Sequence, residues 1–399
     1  MRLLICAGGT GGGVYPALAV LKAFTDDDLL GNQIVEDDTS ADWKRAGTSN
    51  LQLSSVLWVG SEGGMEAELV LREGIPFRAI PAAGVHGVGL RALPRNMLQV
   101  ARGVWAALKI LWQFRPQVVF FTGGYVAVPV ALAGWLSWFH RPRPRNLLFV
   151  PDIEPGLALK ILARFADQIA VSVEDTTAML SHRASAIVTG YPVRRELLAW
   201  TPEAAKETFN LEADLPTLLV VGGSKGARSI NRAVLQILPQ LLSEMQVIHI
   251  SGALDWPEVA AARKKLGAQE SARYFTFPYL HAEMGAAQLL ADLVVSRAGA
   301  SILGEYPHFG VPAILVPYPY AWHYQQVNAR YLMDRGAAVE IADEKLGEQL
   351  LPTIQSLIHD QPRLQSMRKA MRSLERPQAA GQIAHLITGL GEGLSRERR

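Results

Sequence analysis

Cysteine is almost missing from this chain. A single Cys6 among 399 residues excludes an internal disulfide and any cysteine-built zinc cluster, and points to a reducing cytoplasm. A dominant charge is missing too: 39 Lys and Arg against 37 Asp and Glu leave a formal net charge of +2, which argues against a dedicated nucleic-acid binder. No apolar run is long enough to span a bilayer. Residues 116–139, PQVVFFTGGYVAVPVALAGWLSWF, carry no charge, but Gly123, Gly124 and Pro129 interrupt them, and a spanning helix needs about 20 continuous apolar residues. The segment reads instead as a strand over 117–121, a glycine turn and a helix. The N-terminus runs straight into an apolar strand, so no signal peptide is expected. A Walker spacing is absent. The dinucleotide fingerprint is incomplete as well, because with Gly9 and Gly11 as its first two glycines Val14 stands third. NAD-dependent oxidoreduction is thereby demoted.

What remains is a globular composition, 49% hydrophobic and 19% charged, on a chain long enough for two domains. Apolar runs read as strands at 2–6, 55–59, 77–81, 117–121, 146–150, 168–172, 217–221, 246–250, 292–296 and 313–317. They alternate with helix-like stretches, which predicts an α/β protein with parallel sheets covered on both faces. VTGYPVRREL, residues 188–197, reads as a link between two such domains. Residues 25–50, with Asp26, Asp27 and Asp28 near their start, read as a solvated loop rather than a metal-binding carboxylate cluster.

Glycine is concentrated at strand ends. GGTGGGVYPALAV, residues 8–20, places five glycines in six positions before Pro16, where a helix is expected to begin. Strand, glycine turn and helix N-terminus together aim backbone N–H groups and the positive helix end at an anion; a tight turn needed only for packing is the alternative. LLVVGGSKGARSIN, residues 218–231, repeats the design, with Gly222, Gly223, Ser224 and Gly226 suited to cradle a diphosphate and Lys225 and Arg228 adding positive charge. In SRAGASILGEYPHFG, Glu305 lies one helical turn past Ala300 and Ser301. It is either a carboxylate for a ribose diol or a solvent-facing helix residue. YQQVN, residues 324–328, offers amides for sugar hydroxyls.

Taken in order, GGTGG…PALAV, GSEGGMEAELV, FTGGYVAVPVALA, GYPVR, GGSKGARSIN, SRAGAS…E and Q-x-x-NA resemble the MurG-type glycosyltransferases over nearly the whole chain. The resemblance implies a GT-B architecture: two Rossmann-like parallel-sheet domains facing an inter-domain cleft. Domains are then expected at 1–189 (acceptor and membrane side) and 190–370 (UDP-sugar side), with 371–399 as a closing helix packing back on the first domain, and a tail. It implies inverting transfer of N-acetylglucosamine from UDP-N-acetylglucosamine to undecaprenyl-pyrophosphate-linked muramoyl-pentapeptide. It also implies no cofactor, no catalytic metal, no nucleic-acid partner, and a peripheral position on the cytoplasmic face of the plasma membrane. Carried over, Gly223 and Ser224 hold the diphosphate, Arg194 lies near the donor, and Glu305 takes the ribose hydroxyls. Gln325, with Gln326 beside it, binds the donor sugar, Leu280, Ala300 and Ser301 complete the substrate contacts, and Thr10, Gly11 and Gly12 approach from the first domain.

Two departures fall on the acceptor side. The family's histidine after the second glycine pair is Gly13 here, and its His-Glu-Gln-Asn stretch reads FVPD, putting Asp152 in the asparagine's place. A base for the acceptor hydroxyl must then come from elsewhere. Asp152 and His86 are the choices, ahead of Glu154 and Tyr15, with Asp152 favoured by position and His86 by its ordinary pKa near 6.5. A different lipid acceptor, such as diacylglycerol, and a UDP-sugar-binding homologue that has lost catalysis are the competing readings. Finally, Met97, Val104, Trp105, Leu108 and Trp112 interleave with Arg91, Arg95, Arg102, Lys109 and Arg115, and Trp135, Trp138 and Phe139 adjoin Arg141, Arg143 and Arg145. This pattern suits an anionic membrane surface or is simply the buried stripe of ordinary helices.

Overall fold

The computed structural model describes residues 1–8, 11–24, 53–83, 93–137, 143–180, 185–223, 226–319 and 324–397. The apolar runs form strands because helices cover both faces of each sheet, so every side chain of a central strand is buried. Leu3, Leu4, Ile5 and Cys6 are all within 1% of full burial. The first sheet holds seven strands: β1 (Arg2–Ala7), β2 (Ser55–Ser61), β3 (Phe77–Ile80), β4 (Val118–Gly123), β5 (Arg145–Val150), β6 (Gln168–Val171) and β7 (Ser185–Val188). Their order is β3-β2-β1-β4-β5-β6-β7, and all pairs are parallel. The second holds β8 (Thr217–Val221), β9 (Gln246–Ile250), β10 (Tyr274–Phe277), β11 (Leu293–Ser296), β12 (Ala313–Leu315) and β13 (Ala338–Glu340). Its order is β10-β9-β8-β11-β12-β13, again parallel throughout. The strands absent from the sequence reading, β7, β10 and β13, are edge strands of four, four and three residues, too short to show a period.

Two compact units result: Met1–Pro192 with Gln378–Arg399, and Val193–Pro377. The boundaries fall past those expected. A division at 370 would cut the helix Gln361–Arg372, whose Leu364, Met367 and Met371 are buried; Leu364 and Met367 lie in the core under the second sheet. The closing helix Ala379–Glu397 packs on the helix Gly11–Ala23 and on β4 and β5, inside the first unit. Among the described residues no helix is long and apolar enough to cross a membrane. The segment 116–139 divides into β4 and the helix Ala127–Leu136.

The helix after β1 starts at Gly11, five residues before the expected start at Pro16. Three successive glycines wind without Cβ crowding, and Thr122 Oγ1 donates to Gly13 O at 2.6 Å, tying the first turn to the end of β4. Pro16 then lacks only the bond toward the Gly12 carbonyl, near the helix start where the loss is small. In each sheet the strand order reverses about its first strand, between β1 and β4 and between β8 and β11. Loops leaving the carboxyl ends diverge at such a point and open a crevice for ligands.

Candidate functional site

At the switch point of the second sheet three loops leave adjacent strands. After β8, Gly222 and Gly223 lead to Gly226 and the helix Arg228–Gln236. Gly226 has φ +80° and lies against the Ser251 carbonyl, so no Cβ fits there. After β11 come Arg297, Ala298 and Gly299, a 3-10 turn Ala300–Leu303, and the helix Glu305–Phe309. After β12, Tyr318 precedes the helix Tyr324–Asp334. Ala300 is buried and Ser301 half-buried beside it; Leu280, past the end of β10, is buried. Gln325 Oε1 accepts from the Tyr318 N–H at 2.9 Å, and Asn328 Nδ2 donates to Ala298 O at 3.1 Å. The Q-x-x-N spacing therefore clamps the two neighbouring loops with one helix face.

Two polar networks hold these loops from behind. Arg297 donates to Val316 O, Pro317 O, Asp343 Oδ1 and Ser229 Oγ, while Ser229 Oγ donates to Asp343 at 2.7 Å. One guanidinium thus joins the β11 loop, the end of β12 and the helix behind the glycine turn. The second network runs from the core outward. Asn231 gives its amide hydrogens to Ser251 O and Asp255 Oδ2, both at 2.9 Å, and Arg228 donates to Asp255 Oδ1 at 3.0 Å. Asn231 Oδ1 therefore accepts from His249 Nε2–H at 2.9 Å, which leaves Nδ1 to accept from the Tyr274 hydroxyl at 2.7 Å. Burial pushes the His249 pKa down to about 3, so the ring stays neutral. Because Gly226 packs on the Ser251 carbonyl that Asn231 holds, this chain fixes the floor of the glycine turn.

Glu305 as a whole residue is half-buried. Burial pushes its carboxyl above the usual carboxylate range, and Arg194 and the Gln288 amide oppose the rise. Gln288 Nε2 donates to Glu305 Oε2 at 2.9 Å. Arg194 precedes the helix Arg195–Leu198 and lies 3.9 Å from Glu196. A desolvated carboxylate with a cation nearby suits bidentate acceptance from a diol. The structure thus brings Arg194 and Glu305 into electrostatic contact and ranges Gly223, Ala300, Ser301, Leu280 and Gln325 along the carboxyl edge of the same sheet. Arg297 and Asn231 lie inside the quoted stretches SRAGAS and GGSKGARSIN, but their bracing roles, like those of Gln288 and His249, were not read from the sequence.

In the first unit, Gly11 and Gly12 form the opening turn of their helix, and the Tyr15 ring lies back over Gly11. Gly124, at φ +86°, stacks on the Gly8 carbonyl, where a Cβ would stand 2.5 Å from that oxygen. Glu66, also missed, is fully buried below this turn; its Oε1 accepts from Ser61 N at 2.7 Å and Ser61 Oγ at 2.6 Å. Asp152 follows β5 at the same sheet edge and is half-buried. Glu154 pairs with Lys160 at 3.7 Å. Thr10, His86, Ser224 and Lys225 lie outside the described residues. No group of three or more His, Cys, Asp or Glu among the described residues is placed to hold a metal ion.

The helix Leu93–Phe114 shows two faces. Ala107 and Leu111 are buried, with Val104 and Leu108 packed against the same core. On the other side Leu98, Trp105 and Trp112 recur every seventh residue and are 61%, 63% and 63% exposed, with Met97 at 60%. Arg95, Arg102 and Lys109 run beside them at the same interval, and the Lys109 ammonium sits 3.5 Å from the centre of the Trp105 ring. The buried-stripe reading therefore holds for Val104 and Leu108 but not for Met97, Trp105 or Trp112. Trp135 is 58% exposed; Arg91, Trp138, Phe139 and Arg141 lie outside the described residues. Arg143 and Arg145 are both committed to Asp167, at 3.1 and 3.2 Å.

The sequence matches two family models: the glycosyltransferase family 28 N-terminal domain over residues 48–171 and the family 28 C-terminal domain over 217–383. A chain of Roseiflexus sp. (strain RS-1), named UDP-N-acetylglucosamine–N-acetylmuramyl-(pentapeptide) pyrophosphoryl-undecaprenol N-acetylglucosamine transferase, is 41% identical over 98% of this chain and 95% of that one. A chain of Desulforudis audaxviator with the same name is 37% identical over 98% of this chain and all of that one. Among solved structures, Acinetobacter baumannii MurG superposes with a TM-score of 0.69 at 25% identity, covering 97% of this chain and 99% of that one. A Neisseria meningitidis UDP-GlcNAc 2-epimerase shares the fold at a TM-score of 0.63 and 12% identity, over 96% and 99% of the two chains. The chain belongs to glycosyltransferase family 28, as a MurG-type transferase with the two-domain GT-B fold.

Proposed function

We propose that the protein transfers N-acetylglucosamine, with inversion, from UDP-N-acetylglucosamine to lipid-linked N-acetylmuramoyl-pentapeptide. Full-length kinship to chains named for that transfer carries the reading. In the second unit the glycine turn 222–226 and the N-terminus of the helix Arg228–Gln236 receive the diphosphate. Glu305 accepts the ribose hydroxyls beside Arg194, and Gln325, with Gln326 next to it, meets the sugar. Leu280, Ala300 and Ser301 line the donor. Backbone N–H groups and the helix end stabilise charge developing on departing UDP. In the first unit Thr10, Gly11 and Gly12 approach the acceptor. Asp152 takes the proton of the acceptor hydroxyl as its oxygen attacks the anomeric carbon, and His86 is the rival base.

Gly13 and Asp152 favour, as a second reading, a different lipid acceptor. Measuring UDP release with lipid-linked muramoyl-pentapeptide, with diacylglycerol and with no acceptor separates the readings. Release only with the first supports the proposal, and release only with the second replaces the acceptor. UDP binding without release from any mixture means a donor-binding homologue. Turnover is expected to persist in EDTA; loss restored by Mg²⁺ would refute the metal-free reading. The exposed stripe of Leu98, Trp105 and Trp112 with its flanking cations supports a peripheral position on the cytoplasmic face of the plasma membrane. Flotation with anionic and neutral liposomes tests it: selective binding to the anionic vesicles is expected, and equal or no binding to both overturns it.

A further inference from the structure

Gln288 lies on the helix Glu283–Leu290 and is 2% exposed. Its Nε2 donates to Glu305 Oε2 at 2.9 Å, while its Oε1 is buried with no hydrogen-bond partner among the described residues. A buried amide oxygen left unsatisfied costs stability, and an apolar side chain of the same size would pack there at no such cost. The other inward residues of the helix, Gly285, Ala286 and Ala287, are small and apolar. Packing alone therefore gives no reason for an amide at 288. Its amide nitrogen is turned to the Glu305 carboxylate, and its oxygen is left orphaned on the other side.

The helix is itself fixed on the side of Arg194. Trp200 Nε1 donates to Ala282 O at 2.7 Å, and Gly285 packs so closely on the Leu197 backbone that no Cβ fits. The short helix Arg195–Leu198 that follows Arg194 is thus docked on the helix that carries Gln288. A vicinal diol offers two O–H groups to one carboxylate and binds well only when the plane of that carboxylate is set in advance. One oxygen pinned by a neutral donor sets the plane without adding a charge that would compete with the ligand. Burial works against the ionised form of Glu305, and the Gln288 bond offsets part of that effect.

We propose that Gln288 is a positioning residue for the donor nucleotide, holding Oε2 of Glu305 so that the carboxylate meets the 2′,3′-diol of the ribose. The inference rests on the ribose reading of Glu305 given above. Calorimetry on the full chain with UDP and with 2′,3′-dideoxy-UDP, for wild type, Gln288→Met and Glu305→Ala, tests both and tells them apart. Gln288→Met is expected to bind UDP about tenfold more weakly, with dideoxy-UDP binding as in wild type. Gln288→Leu is close in size, has no donor, and reads the same difference should the Met variant fold poorly. Equal losses for both nucleotides, or no loss for either, overturn the role of Gln288. If Glu305→Ala also leaves the preference for UDP over dideoxy-UDP intact, the ribose reading fails; if it abolishes that preference while Gln288→Met does not, only the inference about Gln288 fails.

Discussion

The two sheet edges share one topology and differ in what braces them. Behind the loops of the second edge lie side-chain networks: Arg297 with Asp343 and Ser229, His249 through Asn231 to Asp255, and Gln288 on Glu305. The first edge is braced mainly by contacts onto backbone carbonyls, with Gly124 stacked on Gly8, Thr122 Oγ1 donating to Gly13 O and Trp58 Nε1 to Ala7 O at 2.9 Å, beside the side-chain pair of Glu66 and Ser61 described above. Glycine turns let a ligand or another backbone come close but fix few side chains in space. A networked edge suits a ligand of unvarying shape, such as a nucleotide; a glycine-rich edge tolerates change, and both departures from the family pattern, Gly13 and Asp152, fall there.

The largest expected effect tests that tolerance. Asp152→Asn should lower kcat by roughly 10²–10⁴ if Asp152 is the base, measured as UDP release at saturating donor beside His86→Ala. A fall of less than about tenfold in both variants would eliminate the pair. In that event Gly13→His becomes the informative change. A Cβ at Gly13 meets Thr122 Oγ1 at 3.5 Å, an ordinary contact, so the backbone has room for the first atom of a ring.

Next in size is the bracing itself. Arg297 and Asp343 are 12% and 20% exposed, and breaking a pair so buried leaves a charge and several acceptors uncompensated. Arg297→Ala should destabilise the second unit by roughly 3 kcal/mol or more, read by denaturant unfolding. In the first unit, Thr122→Val removes only the bond to the Gly13 carbonyl and should cost about 1 kcal/mol. Equal losses would erase the contrast between the two edges. Glu305→Ala follows, with UDP affinity reduced by roughly 1–3 kcal/mol in calorimetry; an unchanged affinity would sink the ribose assignment.

How much of this was legible depended on distance along the chain. Glycines at strand ends, Glu305 one turn past Ala300, and the Q-x-x-N spacing are local patterns, and they marked the loops of the second edge. The central strands were legible because their apolar runs are buried on both faces. Gln288 and Glu305 are 17 residues apart, His249 and Asn231 18, and Arg297 and Asp343 46. Such pairs meet only because the parallel register brings their elements together, and no local spacing announces them. The early start of the first helix was hidden differently. Pro16 is a common first-turn residue, but Gly11–Gly13 and the Thr122 hydroxyl allow the helix to begin before it.

The smallest effect asks whether the second edge is tuned for stability or for the ligand. The folded protein raises the pKa of Glu305, chiefly by burial. The sign follows from proton linkage: the carboxyl's favourable contribution is complete below its unfolded pKa and is lost as pH rises through the higher folded value. Above its unfolded pKa the Glu305 carboxyl is therefore a net burden on folding, kept in check by Arg194 and Gln288. Glu305→Gln removes the burden along with one of the two acceptor oxygens that meet the ribose diol. It should raise stability at pH 7 by about 0.5–2 kcal/mol, the usual size of a single stabilising substitution, while weakening UDP binding. The gain should shrink as pH falls toward about 4, where the wild-type carboxyl is itself neutral. Thermal unfolding across that range, with UDP calorimetry alongside, reads both effects. A variant that is less stable at pH 7 would mean that Arg194 and Gln288 more than offset burial, and that the second edge holds Glu305 for the fold as well as for the nucleotide.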